Sequence, residues 1–145
     1  MLRTVVSCAM LFLLLASCTK DPEPEVVLEK PVEKKVIYQV FAAKDYSPAL
    51  FDKVQTTVTL TVGAVANKTG TFTKIWDTTL NGHIRTFPQF DQKIQIEKTF
   101  TLVESAEKLQ VAKSVRYDDN GQIQQSASFE PVPTGTNIFL MGVGL

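Results

Sequence analysis

The side chains of this 145-residue chain best suited to recognition or chemistry are one tryptophan, a proline-stiffened phenylalanine pair, one histidine and two cysteines. Trp76 stands in Lys74-Ile75-Trp76-Asp77. Its ring serves either as packing in a core, the favoured reading, or as an exposed platform for a sugar or protein partner. Phe87-Pro88-Gln89-Phe90 presents two aromatics on a segment with little entropy to lose on binding. Trp76, Phe87 and Phe90 are therefore the candidate ligand contacts. Tyr46 and Phe51 are further aromatics in segments that read as loops. His83, with Arg85 two positions on, has no histidine or cysteine neighbour to make a zinc site and no local triad motif. It reads as a solvated turn residue. Asp118-Asp119-Asn120-Gly121 gathers oxygen ligands before a glycine, but it lacks the alternate spacing and distal glutamate of a calcium loop. It reads as a hairpin tip. No metal ligand, cofactor or catalytic residue is nominated. A carboxylate-based glycan hydrolase needs two acids facing each other across a cleft, and no such pair stands out.

Charge narrows the partners. Lys and Arg number 15 and Asp and Glu number 15, with no basic cluster, so nothing is built to neutralise nucleic acid phosphates. The hydrophobic fraction of 44% is concentrated at the start of the chain, where Val5 to Ala16 is broken only by Ser7. That run is too short to span a bilayer, which takes about 20 residues, and it fits the core of a secretory signal peptide.

The elements that must position the candidates read as strands. Residues 35–145 hold 14 threonines alongside many Val, Ile and Phe, a composition suited to a pleated, half-buried surface. Thr57 to Val62 alternates threonine and aliphatic residues, and Ile94, Ile96, Phe100 and Leu102 form a second stripe interrupted by Lys98. That strand is expected to bend at Lys98 or to leave the sheet edge there. Other strands are expected at 35–43, 71–80, 83–87, 108–118, 122–130 and 136–143. Asn81-Gly82 marks a hairpin between 71–80 and 83–87. Ser47-Pro48 reads as an N-cap and first helical residue, opening a short helical turn over 48–54. At Asn120-Gly121 a three-residue loop is preferred over a two-residue turn, because it pairs Tyr117 with Ile123 and gathers apolar residues on one face. Ile138-Phe139-Leu140-Met141 is apolar on both faces, as befits a central strand or one buried by a partner. The fold class is all-β: a β-sandwich of about eight strands, immunoglobulin-like in the finer reading, with a small β-barrel as runner-up.

The end of the apolar run, Leu15-Ala16-Ser17-Cys18, resembles the lipobox of bacterial lipoproteins. The rival Val5-Val6-Ser7-Cys8 is preceded by only four residues and lacks the apolar segment that export requires. The resemblance implies diacylglycerol on the Cys18 thiol, cleavage before Cys18 and acylation of its new amino group. It implies a membrane partner held through lipid, and two or more chains anchor stably where one does not. Thr19, in place of the Asp associated with inner-membrane retention, favours the outer membrane of a Gram-negative envelope. Lys20-Asp21-Pro22-Glu23-Pro24-Glu25 looks like a short surface-export signal, and it reads equally well as a solvated linker. Thr19 to Lys34, with Pro22, Pro24 and Pro31 among many charges, forms a tether of roughly 50 Å when extended. Val26-Val27-Leu28 is its apolar exception, able to dock as an edge strand. The chain thus divides into a signal peptide at 1–17, a lipidated cysteine and tether at 18–34, and a sandwich domain at 35–145. The expected function is non-enzymatic binding of a protein or glycan partner in the envelope or at the cell surface. The alternative is an accessory subunit that docks into an envelope complex through an edge strand.

Overall fold

A computed structural model of the chain describes residues 29–145. The expected signal peptide, Cys18, the Lys20–Glu25 segment and Val26–Leu28 lie outside the described residues. Alternation of β-branched and polar residues produces seven strands: β1 (Val32–Phe41), β2 (Val54–Ala66), β3 (Phe72–His83), β4 (Ile94–Leu102), β5 (Glu107–Asp119), β6 (Gln122–Pro131) and β7 (Ile138–Gly144). They form two sheets, β4-β1-β7 and β3-β2-β5-β6, packed face to face as a sandwich with open edges, so it is not a closed barrel. All pairs are antiparallel except β1 with β7. In constant-type immunoglobulin domains the first strand pairs with the second. Here β1 lies between β4 and β7, and β2 pairs with β3 and β5 in the opposite sheet.

Val36, Tyr38 and Val40 of β1 face Val58, Leu60 and Val62 of β2 and Leu109, Val111 and Val115 of β5 across a continuous core. Tyr38 is fully buried, and its hydroxyl donates to the Thr61 carbonyl at 2.6 Å, with the Ala112 carbonyl 3.3 Å away. One side chain thus ties the centre of one sheet to both central strands of the other. Thr56, on the same inner face, is 1% exposed and its Oγ1 has no hydrogen-bond partner. A buried hydroxyl without a partner costs free energy that an isosteric methyl does not. Thr56→Val is expected to raise stability by about 0.5–1 kcal/mol in urea unfolding, and a loss of stability would show that the hydroxyl is satisfied.

Several expectations need correction. β1 starts at Val32, so residues 32–34 belong to the sheet and not to the tether. Lys34 is 2% exposed, its Nζ bonded to Glu104 Oε1 at 2.5 Å and to the Thr136 and Pro133 carbonyls at 2.9 and 3.1 Å. The Asn81-Gly82 hairpin does not form, because β3 runs straight through it, with Asn81 opposite Thr57 and Gly82 opposite Thr56. Residues 84–86 are a 3-10 turn instead of a strand, so the described strands number seven. The helical turn near residue 48 is a single 3-10 turn over Ala49–Phe51, capped by Pro48. Ser47 does not cap it. Its N–H and hydroxyl both bond the Asp45 carboxylate at 2.8 Å.

The Asn120-Gly121 connection is a two-residue turn with both residues at positive φ, 50° and 91°, the combination that Asn-Gly favours in hairpins. Tyr117 therefore meets Gln124 and Val115 meets Ser126. Gathering apolar residues did not decide the register, because β6 extends past the edge of the three-stranded sheet and no described residue layer covers its inner face. Turn chemistry set the register there: Asp118 Oδ1 accepts the Gly121 N–H at 2.8 Å. Lys98 neither bends β4 nor ends it. β4 is an edge strand paired through Val36–Lys98, and the Lys98 ammonium lies 5.6 Å above the Trp76 ring. β7 is also an edge strand, not a central one.

Candidate functional site

A concavity lined by polar and apolar groups lies at one end of the sandwich, where β1, β3 and β5 finish and β2 and β6 begin. Its volume is about 290 Å³. Local chemistry in the β1–β2 connection builds one wall. The Asp45 carboxylate caps Ser47, and those two hydrogen bonds, with the nearby Arg85 charge, hold its pKa below the usual carboxylate value. This tight turn leaves Lys44 outside and turns Tyr46 inward, to 7% exposure. The 3-10 turn then brings Phe51 edge-on to Tyr46, with ring centroids 4.9 Å apart. Lys44 Nζ sits 5.1 Å from the Tyr46 ring and 5.3 Å from the Phe51 ring.

The opposite wall comes from the β5–β6 hairpin: Tyr117, Asp119, Gln122 and Gln124. Buried Val54 and Ile84 form the apolar floor, and Leu50, 69% exposed, stands at the rim. The loops are bolted together beneath the site. Arg85 donates to the Asp52 carboxylate and the Ser47 carbonyl, and the His83 ring meets the Asp52 carbonyl. His83 is therefore a half-buried strand-end residue with a partner, not a turn residue.

Burial pushes the Tyr117 phenol up to about 12, and the adjacent Tyr46 adds to the shift. Burial also raises Tyr46, offset in part by a hydrogen bond from Tyr117. Tyr117 thus spends its proton on Tyr46, and the pair offers a ligand the Tyr46 O–H and the Tyr117 oxygen as acceptor. The linkage runs toward alkali. A raised phenol stabilises the fold fully below its unfolded pKa of 10.0 and loses that contribution as pH rises toward about 12. Urea midpoints of the wild type are expected to fall more between pH 9 and pH 11.5 than those of Tyr117→Phe. Equal falls would show that Tyr117 is not the responsible group.

The residues singled out from sequence do not converge on this site. Trp76 is half-buried mid-strand, with its ring centroid 6.1 Å from that of Tyr38 and Lys98 above it. Phe87 is 8% exposed and packs in the core. Phe90 is exposed, but it rests edge-on against Phe41 at 4.8 Å beneath Lys93. Loop position marked Tyr46 and Phe51 in the sequence. Lys44, Tyr117, Gln122 and Gln124 carried no local motif, since they meet only through the hairpin register.

Among the described residues, no group of three or more His, Cys, Asp or Glu side chains is gathered as a metal site. Asp118 is engaged by the turn and by Arg116 at 3.0 Å. Among the described residues Asp119 is the one carboxylate lining the pocket, so they assemble no acid pair of a glycosidase there. What the pocket offers is an aromatic and aliphatic wall facing phenols, carboxamides, an ammonium and a carboxylate. That mixture suits a ligand with one apolar face and several hydroxyls, such as a sugar ring. No helix of the described residues is long and apolar enough to cross a membrane. Comparison of the chain with family models, curated proteins and solved structures finds no match.

Proposed function

We propose that this protein is a lipid-anchored binding module of the outer membrane that meets a glycan-bearing partner through the pocket of Lys44, Tyr46, Phe51 and Tyr117. Lipid on Cys18 holds the chain, and the charged, proline-rich segment after it sets the stand-off. The observation that carries the reading is polarity along β1. The described chain enters the sandwich at Val32, and the pocket lies beyond the other end of that ten-residue strand. At about 3.3 Å per residue the two ends are roughly 33 Å apart. A domain tethered from its β1 entrance carries the pocket on the side facing away from the membrane, where an envelope or cell-surface partner is met. The chemistry of the pocket favours a saccharide over a peptide, because its polar groups ring an aromatic wall.

The test uses full-length acylated protein in liposomes against an array of envelope glycans. Retention of a defined glycan class is expected, with at least tenfold weaker binding in the double variant Lys44→Ala and Tyr117→Phe and no change in Phe90→Ala. Retention of no glycan, or binding indifferent to the pocket variants, would overturn the reading.

A further inference from the structure

The two sheets do not end together on the β7 side. Lys113 of β5 reaches up to β7, donating to the Gly142 carbonyl at 2.6 Å, so β7 lies above β5. In the larger sheet β6 continues one strand further, and in the smaller sheet no strand of the described residues lies above it. The result is a shelf one strand wide, about 4.8 Å, floored by the inner face of β6 and walled by the free edge of β7.

Hydrogen-bond parity identifies that edge. The Asn137 carbonyl accepts from Lys35 N–H, and Leu145 exchanges bonds with Phe41 and Ala43, so odd-numbered residues turn their backbone groups toward β1. The groups of Ile138, Leu140, Gly142 and Gly144 therefore point to the open side, as the Lys113 bond to Gly142 independently shows. Ile138 and Leu140 are 58% and 60% exposed. A row of unpaired donors and acceptors flanked by exposed aliphatic side chains is a template for strand addition.

We propose that the β7 edge binds an extended segment of a partner protein, which pairs along Ile138–Gly144 and lies on the β6 shelf. This site is separate from the pocket and does not depend on its ligand. A second copy of the sandwich does not fit in antiparallel pairing. Antiparallel pairing of two β7 edges lays the second copy's β7 above β6 with its larger sheet on the same side, and its own β5 and β6 then fall where β6 and β5 already stand. A single extended strand carries no second layer and clears the shelf. The surfaces it meets define its chemistry. Its outward side chains adjoin Ile138 and Leu140 and are apolar, whereas its inward ones face Lys113, Gln124, Ser126 and Glu130 and are polar. Ser128, paired with Lys113 on this shelf, has an Oγ with no hydrogen-bond partner. Lys113 holds one of the free carbonyls and acts as an inward-pointing charge that discourages unspecific pairing.

Leu140→Pro separates the edge from the fold. The Leu140 N–H is not used by β1, so proline removes a donor from the open side while the β1 pairing persists. A benzophenone amino acid at position 138 of the full-length protein, irradiated in intact cells, is expected to yield an adduct mapping to a short segment of another polypeptide. That adduct is expected to be lost with Leu140→Pro. A ten-residue peptide of alternating threonine and valine, titrated against the full-length protein in detergent, is expected to protect the amides of residues 138, 140, 142 and 144 from exchange. It should bind about tenfold more weakly to Leu140→Pro. Adducts mapping to a second copy, to residues 26–28 of the same chain or to lipid would overturn the proposal, as would peptide binding indifferent to Leu140→Pro. Unchanged glycan retention by Leu140→Pro would keep this site distinct from the pocket.

Discussion

Truncation of Tyr38 to alanine is expected to destabilise the sandwich by about 4 kcal/mol, enough to leave a domain of this size largely unfolded at moderate urea. The ring is fully buried between the sheets, and its removal leaves a cavity at the point where β1 crosses β2 and β5. Tyr38→Phe separates the two contributions. It keeps the ring and deletes only the hydroxyl that reaches the Thr61 carbonyl at 2.6 Å, so its cost is expected to be about 1–1.5 kcal/mol. Equilibrium unfolding of both variants measures the difference. Near-equal costs would mean that the hydroxyl, and not the packing, holds the sheets together at this point. Burial also raises the Tyr38 phenol, which adds to the alkaline sensitivity described for Tyr117.

Lys34→Ala is expected to cost about 3 kcal/mol. The ammonium is almost wholly buried and has three oxygen partners, one on the β4–β5 connection and two on the β6–β7 connection. Its loss takes the 2.9 Å donor from the Thr136 carbonyl, leaves the Pro133 carbonyl with the Thr136 N–H at 3.2 Å, and leaves Glu104 with the Gly135 N–H, at 2.9 Å, as its remaining partner there. Hydrogen bonds to a charged group contribute about 1.5–3 kcal/mol, and truncating the buried lysine stem adds a cavity cost, whereas Glu104, in contact with water, is left with no buried-charge penalty. The Lys34 hydrogen bond, followed by that of Gly135, holds the Glu104 carboxyl below its ordinary value of 4.5. A depressed carboxylate contributes stability above its unfolded pKa and loses it as pH falls through the folded one. Wild-type stability is therefore expected to decline below about pH 4.5, and Glu104→Gln to flatten that decline. An unchanged acid limb in Glu104→Gln would remove this pair from the explanation.

Lys34 also marks where sequence reasoning reached its limit. Its neighbours are charged and proline-flanked, which is how a tether reads, and only the distant carbonyls of Pro133 and Thr136 make a buried lysine tolerable there. The alternation in Thr57–Val62 and Ile94–Leu102 was enough to place strands, because each strand has one face on a core. Lys98 broke that pattern without breaking the strand, since an edge position let its ammonium lie over Trp76. The Asn120-Gly121 register was legible in the turn residues and was obscured by the apolar count on β6, a strand with no layer of described residues above it. His83 and Arg85 looked idle because their partners, Asp52 and Ser47, lie more than 30 residues away. The pocket was invisible for the same reason. Lys44 and Tyr117 are neighbours only after two sheets and two loops have closed.

The proposed orientation, with the pocket end facing outward from a membrane, requires lipid on Cys18. Mass spectrometry of the N-terminal peptide from protein purified out of its native envelope tests this most directly. The expected peptide begins at Cys18 and carries a thioether-linked diacylglycerol and an amide-linked acyl chain. A peptide that begins at another residue, or one with an unmodified Cys18, would contradict it.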